Sequence, residues 1–276
     1  MNVVTFIRFP RIPLKDRVKI SQNWRRGRCR KEAVLKWKNK DGKIILHQKQ
    51  GSFSMEYSAH NQEVNCIDSK GGVIVSGSRD RTARVWSLSS NRLGECLHTI
   101  PTLDRVWSLA ISPSQSSFVT GTACCGHVAP LRIWDVESCQ LLTCLGTDFR
   151  RGAGVLDVVY ESPSTLLSCG YDTFIRYWDV RASTRKCVME WEEPHDSALY
   201  CIQSDSNHMI ASGSSYYGVV RLWDKRQTRC LQTFSLSSPT SSPVYCLRFN
   251  STHLYAALAS ALYALDFKGL DSRGRK

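Results

Sequence analysis

The sequence predicts an all-β chain built from repeated four-stranded antiparallel sheets, and three observations carry that expectation. Trp86, Trp134, Trp178 and Trp223 recur at intervals of 48, 44 and 45 residues, and self-similarity at such a period is the mark of a repeat architecture. The text around each tryptophan recurs too, as Thr82-Ala83-Arg84-Val85-Trp86, Leu131-Arg132-Ile133-Trp134-Asp135, Ile175-Arg176-Tyr177-Trp178-Asp179 and Val220-Arg221-Leu222-Trp223-Asp224. Within one period the apolar residues alternate with period two and are cut by Gly, Ser, Asn and Asp, which is strand-and-turn chemistry. Four short antiparallel strands per unit make the blade of a β-propeller.

In chain order, residues 1–42 come first as a basic leader. Residues 1–49 hold 15 Lys and Arg against Asp16, Glu32 and Asp41, whereas the remainder holds 22 basic and 21 acidic groups, so the chain's net +13 is concentrated at its start. A body-wide electrostatic footprint for a phosphate backbone is missing. The stretch Arg25-Arg26-Gly27-Arg28-Cys29-Arg30-Lys31 admits three readings: an import signal, a nucleic-acid contact or a solvated linker. Trp24, Val34, Leu35 and Trp37 around it make Ser21 to Lys38 a candidate amphipathic helix.

The propeller is expected over residues 43–267. Asp41 to His47 matches Asp80 to Trp86 and reads as strand c of an early blade, with strand d near Phe53 to Tyr57. The best repeat has strand a near Val64 to Asp68, b near Val73 to Gly77, c near Thr82 to Trp86 and d near Cys96 to Ile100. Three more tryptophan-marked units follow, and Val244 to Phe249, Leu254 to Leu258 and Leu262 to Phe267 read as strands a, b and c of a last blade. The expectation is four complete blades with a fragment at each end, an incomplete propeller of about five to six blade equivalents. A chain shortened on its N-terminal side accounts for that count. Val3 to Phe9 has strand character and is a candidate for one missing strand, and residues 268–276 form a basic tail.

Other features exclude whole classes of function. No apolar run approaches the ~20 residues that cross a bilayer, and the N-terminus lacks the layout of a secretory signal, so a cytoplasmic or nuclear protein is expected without a membrane role. Of the 12 cysteines, seven fall on two repeat positions. Cys66, Cys201 and Cys246 share one place in strand a, and Cys96, Cys144, Cys187 and Cys230 trail their tryptophans by 10, 10, 9 and 7 residues. Equivalent places in different blades lie far apart, so these thiols read as small buried hydrophobes rather than disulfides. Cys124-Cys125-Gly126-His127 lacks a second ligand pair at metal spacing and reads as a displayed loop. No nucleotide, dinucleotide, zincin or kinase motif occurs, so neither an enzyme nor a cofactor is expected.

These repeats resemble the WD40 repeat. In that family a histidine before strand a, a Ser or Thr in strand b, the aspartate of the b–c turn and the tryptophan of strand c form a hydrogen-bonded set. His60, Ser76, Asp80 and Trp86 supply all four members, Asp172 with Trp178 and His195 with Trp223 are partial copies, and Trp134 marks the remaining unit. The resemblance makes these residues architectural. It also disposes of His195-Asp196-Ser197 as a catalytic triad, because three chain neighbours cannot adopt a triad's geometry.

Longer runs resemble the F-box/WD-repeat family, among them Tyr57-Ser58-Ala59-His60-Asn61-Gln62-Glu63-Val64-Asn65-Cys66 and Gly213-Ser214-Ser215-Tyr216-Tyr217-Gly218-Val219-Val220-Arg221-Leu222-Trp223-Asp224. That resemblance implies a non-enzymatic substrate receptor of a Skp1–cullin–F-box ubiquitin ligase, in which the propeller holds target proteins. Residues 1–40 contain only Leu14 and Leu35, which does not match a Leu-rich F-box, so a non-productive form is the alternative, beside a nucleic-acid-associated scaffold using the leader. Phosphopeptide-reading members place arginines on the top face, and only Arg79 matches. The other equivalent positions are Asn65, Trp107, Leu156, Tyr200 and Tyr245 in strand a and Tyr171 in a b–c turn, with Tyr216 and Tyr217 nearby. Aromatic residues of this kind suit a protein anchor. The Arg84, Arg132, Arg176 and Arg221 series looks like a ligand stripe but is expected to be structural.

Overall fold

The structure is a computed structural model that describes residues 33–38, 41–48, 54–126, 128–193, 197–236, 242–249, 253–259 and 261–266. Most of the basic leader, the Val3 to Phe9 segment, His127, His195 and the C-terminal tail lie outside the described residues.

Among the described residues, six antiparallel sheets follow one another along the chain. The first contains β1 (Ala33–Lys38), β2 (Lys43–Gln48) and β3 (Ser54–Ser58). The second contains β4 (Val64–Lys70), β5 (Val73–Ser78), β6 (Thr82–Ser87) and β7 (Cys96–Pro101). The third contains β8 (Val106–Ile111), β9 (Ser117–Thr122), β10 (Leu131–Asp135) and β11 (Leu141–Leu145). The fourth contains β12 (Val155–Tyr160), β13 (Thr165–Gly170), β14 (Phe174–Asp179) and β15 (Met189–Glu192). The fifth contains β16 (Leu199–Ser204), β17 (Met209–Ser214), β18 (Val219–Asp224) and β19 (Cys230–Ser235). The sixth contains β20 (Cys246–Phe249), β21 (His253–Ala257) and β22 (Leu262–Asp266). Within every sheet, chain neighbours pair, so four complete meander blades are flanked by two three-stranded ones. Among the described residues no strand of the first sheet pairs with one of the last, and the ring is not closed.

One element departs from the sequence reading. Residues 33–38 form β1 rather than the second half of a helix, and pair in register with β2 from Ala33↔Gln48 to Lys38↔Lys43. The first sheet therefore starts inside the stretch assigned to the leader. Val34, Leu35 and Trp37 suit a strand as readily as a helix turn, and tertiary pairing decides such ambiguous short runs.

The core lies between blades. Strand b of each complete blade is small-residue-rich, and beside Gly121 and Gly213 a valine at or just before the start of the next blade's strand a packs into the space. A β-carbon on Gly121 would lie 2.9 Å from Val155 Cγ1, and one on Gly213 would lie 2.7 Å from Val244 Cγ1. Four side-chain hydrogen bonds accept at the same backbone place in each successive junction. Asn65 Nδ2 donates to the Val106 carbonyl (2.7 Å), Ser108 Oγ to Val155 (3.0 Å), the Cys169 thiol to Leu199 (3.5 Å) and the Cys201 thiol to Val244 (3.2 Å). Those carbonyls open β8, β12 and β16 or, for Val244, lie two residues before β20, and an unpaired buried acceptor costs about 1–3 kcal/mol.

The tryptophans of strand c are buried and tie strand c to strand b. Their indole N–H groups donate to Ser76, Thr120, Ser168 and Ser212 over 2.8–2.9 Å. Three of the four arginines in the strand-c series are tied into the blades: Arg132 and Arg221 are buried. Arg132 donates to the Thr102 carbonyl where the preceding blade's strand d ends (3.2 Å), and Arg221 meets the carboxylate of Glu193 at the corresponding exit (2.5 Å). Arg176 pairs with Asp172 instead and lies over the rings of Phe149 and Phe174.

The cysteines divide. Cys66 and Cys201 are buried in strand a as expected, but Cys96 in strand d is exposed and Cys144, Cys187 and Cys230 are half-buried. Strand d is the outer edge of each blade, so these positions are only partly covered: Cys187 and Cys230 pack against the rim of a core, whereas Cys96 faces solvent. None of the described cysteines is in a disulfide.

Candidate functional site

In a meander blade the b–c turns and d–a loops emerge at one end of the strands, and here they form one hydrogen-bonded rim. Arg79 N–H donates to the Glu63 carbonyl, Thr102 to Arg81, Ala123 to Arg105, Gly152 to Cys124, Tyr171 to Gly154, Ser215 to Ala198 and Gly218 to Ser242, all within 2.7–3.0 Å. Each bond joins a b–c turn to a neighbouring d–a loop. Arg81, Thr173 and Tyr217 adopt positive φ of 65°, 70° and 59° in these turns, a sparsely used conformation held by the surrounding bonds.

His60 anchors the rim through a relay whose polarity follows from its partners. Asp80 as a carboxylate only accepts, so His60 Nδ1 carries the hydrogen toward Asp80 Oδ2 at 3.0 Å. Neutral Nε2 then accepts from Ser76 Oγ at 2.7 Å, and Ser76 accepts from Trp86 Nε1 at 2.9 Å. Thr82 closes the turn with Oγ1 on Asp80 Oδ1 at 2.6 Å. Burial lowers the pKa of His60 below its ordinary value despite the nearby carboxylate. Burial alone would raise Asp80, but hydrogen bonds from His60, Thr82 and Asn61 hold it well below the usual carboxylate range. No group in the relay is oriented toward solvent as a nucleophile, and its residues link turn, strand b and strand c of one blade. Asp172 does not reproduce the arrangement, since its carboxylate is bonded to Arg176 on the next strand.

Strand a carries a feature that the sequence did not announce. In all four complete blades its ladder skips the second residue, between Val64 and Cys66, Val106 and Ser108, Val155 and Asp157, and Leu199 and Cys201. The residues outside the ladder are Asn65, Trp107, Leu156 and Tyr200. Bulges re-aim side chains near functional surfaces, and three of these four are residues assigned to the top face. Asn65 does not serve as a free contact there, because its amide is committed to the Val106 carbonyl. Trp107 is half-buried, with its indole N–H unpaired among the described residues. Tyr200 and Tyr245 lie with ring centroids 6.1 Å apart across two blades.

The exposed aromatic groups concentrate on the rim. Tyr171 is 45%, Tyr216 58% and Tyr217 69% exposed, and the Tyr216 and Tyr217 rings sit 6.1 Å apart. Leu103, also on the rim, is 64% exposed. Arg79 extends over the same face with a single long contact to Glu63 at 3.5 Å. Sequence reasoning missed Arg81, Arg105, Arg150 and Arg151, which occupy these loops but do not sit at repeat-equivalent positions. Cys124 corrects the displayed-loop reading: it is buried, with its thiol on the Arg150 carbonyl at 3.4 Å, whereas Cys125 is exposed. Among the described residues no cluster of three His, Cys, Asp or Glu side chains is placed to hold a metal ion, and no helix is long and apolar enough to cross a membrane.

Comparison with known proteins agrees with this architecture. Residues 51–87 and 185–224 match the family described as WD domain, G-beta repeat. The chain is 57% identical to F-box/WD repeat-containing protein 4 of Mus musculus and 56% identical to that of Homo sapiens, over 270 aligned positions each. Both alignments cover 75% of this chain and 66% of the relative, so the chain spans slightly less than two thirds of those proteins. Cell division control protein 4 of Candida albicans is 31% identical over 43% of this chain and 17% of its own length. The WD40 β-propeller domain of Doa1 superposes with a TM-score of 0.68 at 21% identity, covering 84% of this chain and 74% of that one, a likeness of fold alone. Tryptophan-marked four-stranded blades, together with this identity, place the chain in the family of F-box/WD repeat-containing protein 4.

Proposed function

We propose that this chain is a non-enzymatic substrate-recognition scaffold whose propeller rim captures target proteins for a Skp1–cullin ubiquitin ligase. The observation that carries the reading is the exposure of Tyr171, Tyr216 and Tyr217 on rigid, hydrogen-bonded turns of adjacent blades. Tyrosines held this way contribute large buried area on binding at little entropic cost, and a rim built of turns gives a broad contact face rather than an enclosed reaction site. The names of the relatives support the ligase class, and the fold supports the scaffold.

The test is a capture experiment in cells with the full chain. A Tyr171→Ser/Tyr216→Ser/Tyr217→Ser variant is expected to lose a defined set of partners that wild type and an opposite-face Arg185→Glu control retain. An unchanged set from a variant with a wild-type melting profile would remove the rim from consideration. Recovery of Skp1 and cullin in the same experiment reports ligase recruitment separately.

A further inference from the structure

The rim is chemically divided. Blades four and five carry its exposed tyrosines, whereas the loops running from Arg79 to Gly152 carry five arginines: Arg79, Arg81, Arg105, Arg150 and Arg151. These loops form one row, stitched by Thr102 N–H on the Arg81 carbonyl (2.9 Å), Ala123 on Arg105 (3.0 Å) and Gly152 on Cys124 (2.8 Å). Among the described residues Arg81, Arg105, Arg150 and Arg151 make no side-chain hydrogen bond or ion pair, and Arg79 has only the 3.5 Å contact to Glu63. The carboxylates of the row are differently employed. Asp104 accepts Arg105 N–H on one oxygen (2.8 Å) and Cys125 N–H on the other (2.7 Å), and Asp80 is enclosed in the histidine relay. Asp148 and Glu63 are left against five guanidinium groups.

The opposite end of the strands is arranged otherwise. There Arg92, Arg181 and Arg226 each close onto a carboxylate of their own turn, Glu95, Asp179 and Asp224, and among the described residues Lys70, Arg185, Lys186 and Arg229 are spread over separate turns of that end without a carboxylate partner. Guanidinium groups satisfied within a turn present little charge outward, whereas uncommitted ones offer planar two-pronged donors matched to carboxylates. We infer that the Arg79-to-Gly152 row is a docking surface for an acidic, Asp- and Glu-rich protein segment, an inference that rests on the rim being the partner-binding face.

The test is fluorescence anisotropy on the full chain with a labelled Glu/Ser-repeat peptide, its Gln/Ser counterpart, a phosphoserine peptide lacking Glu, and an oligo-uridine RNA. The Glu/Ser peptide is expected to bind at least about tenfold more tightly than Gln/Ser at low salt, and to weaken as salt is raised. Arg150→Glu/Arg151→Glu is expected to abolish that preference, Arg150→Gln/Arg151→Gln to reduce it, and Arg185→Glu to leave it within about twofold. No preference for Glu over Gln, equal loss in Arg185→Glu, or tighter binding of the phosphoserine peptide or the RNA to the same row overturns the inference. If the tyrosine variant loses cellular partners while the arginine variants lose none, the acidic-segment inference fails and the rim reading stands. If neither variant loses any, the rim reading itself fails.

Discussion

Gly77 of β5 and Val106 of β8 belong to different blades, yet a β-carbon on Gly77 would lie 2.4 Å from Val106 Cγ1 and 2.7 Å from Cys66 Sγ. The glycine is thus the socket into which the next blade locks. Gly77→Ala is expected to destabilise the chain by about 1–3 kcal/mol through overpacking, read as a fall in the denaturation midpoint. Gly126→Ala, where no atom lies within 4 Å of the added carbon, is the control. Equal midpoints for the two variants would show that the junction yields freely.

The hydroxyls beneath the tryptophans differ in how much depends on them. Ser168 serves Trp178 (2.8 Å), whereas Ser76 serves both Trp86 and His60. Removing a partner from a buried polar group costs about 1–3 kcal/mol. Ser76→Ala, which orphans two groups, is therefore expected to cost more than Ser168→Ala. Chemical denaturation of both variants measures the order, and a larger loss in Ser168→Ala contradicts the relay.

Acidification is expected to weaken the second blade in two steps. His60 titrates below its ordinary 6.5 in the folded chain, so the unfolded chain binds that proton more readily. Its contribution is complete above pH 6.5 and is lost as pH falls toward the folded-state value. Asp80, held below its ordinary 3.8, adds a second loss once pH drops under that value. Thermal midpoints measured across this range should decline first below pH 6.5, and His60→Gln should flatten that first decline.

Arg221 and Glu193 form an ion pair whose side chains are 4% and 1% exposed. Breaking such a pair from one side leaves an uncompensated buried charge and costs about 3–5 kcal/mol. Arg221→Met alone is expected to fall in that range, while Arg221→Met/Glu193→Leu together recovers most of it. Denaturation of the single and double variants completes the cycle, and additive losses would mean that the two groups are not coupled.

Most of the blade pattern was legible because indole spacing and period-two alternation are backbone-level signals. Strands a to d of the second blade were expected near Val64, Val73, Thr82 and Cys96 and begin at those residues. What escaped was set by neighbours distant in sequence. β1 depends on pairing with β2, and an isolated run such as Ala33–Lys38 does not declare its partner. The strand-a bulge adds no residue type that marks it, so the commitment of Asn65 to Val106 was invisible. The exposure of Cys96 escaped because a repeat position says where a residue recurs and not which side of the blade is covered. The loop arginines lie off the repeat frame, and only hydrogen bonds between turns bring them into one row.

The junction bonds from Asn65, Ser108, Cys169 and Cys201 run in one direction, each blade holding the carbonyl that opens its successor. Coupling of that kind is serial, so the stability of the arc resembles that of a row of links whose interior members lean on two neighbours. Among the described residues the sheets of β1–β3 and β20–β22 lean on one each. Amide protons there are expected to exchange first, with protection rising inward toward the third and fourth blades, the two whose d–a loop carries Arg150 and Arg151. The Arg150–Arg151 end of the proposed docking row would then sit on the slowest-opening part of the molecule, where a partner meets a surface already ordered before it arrives.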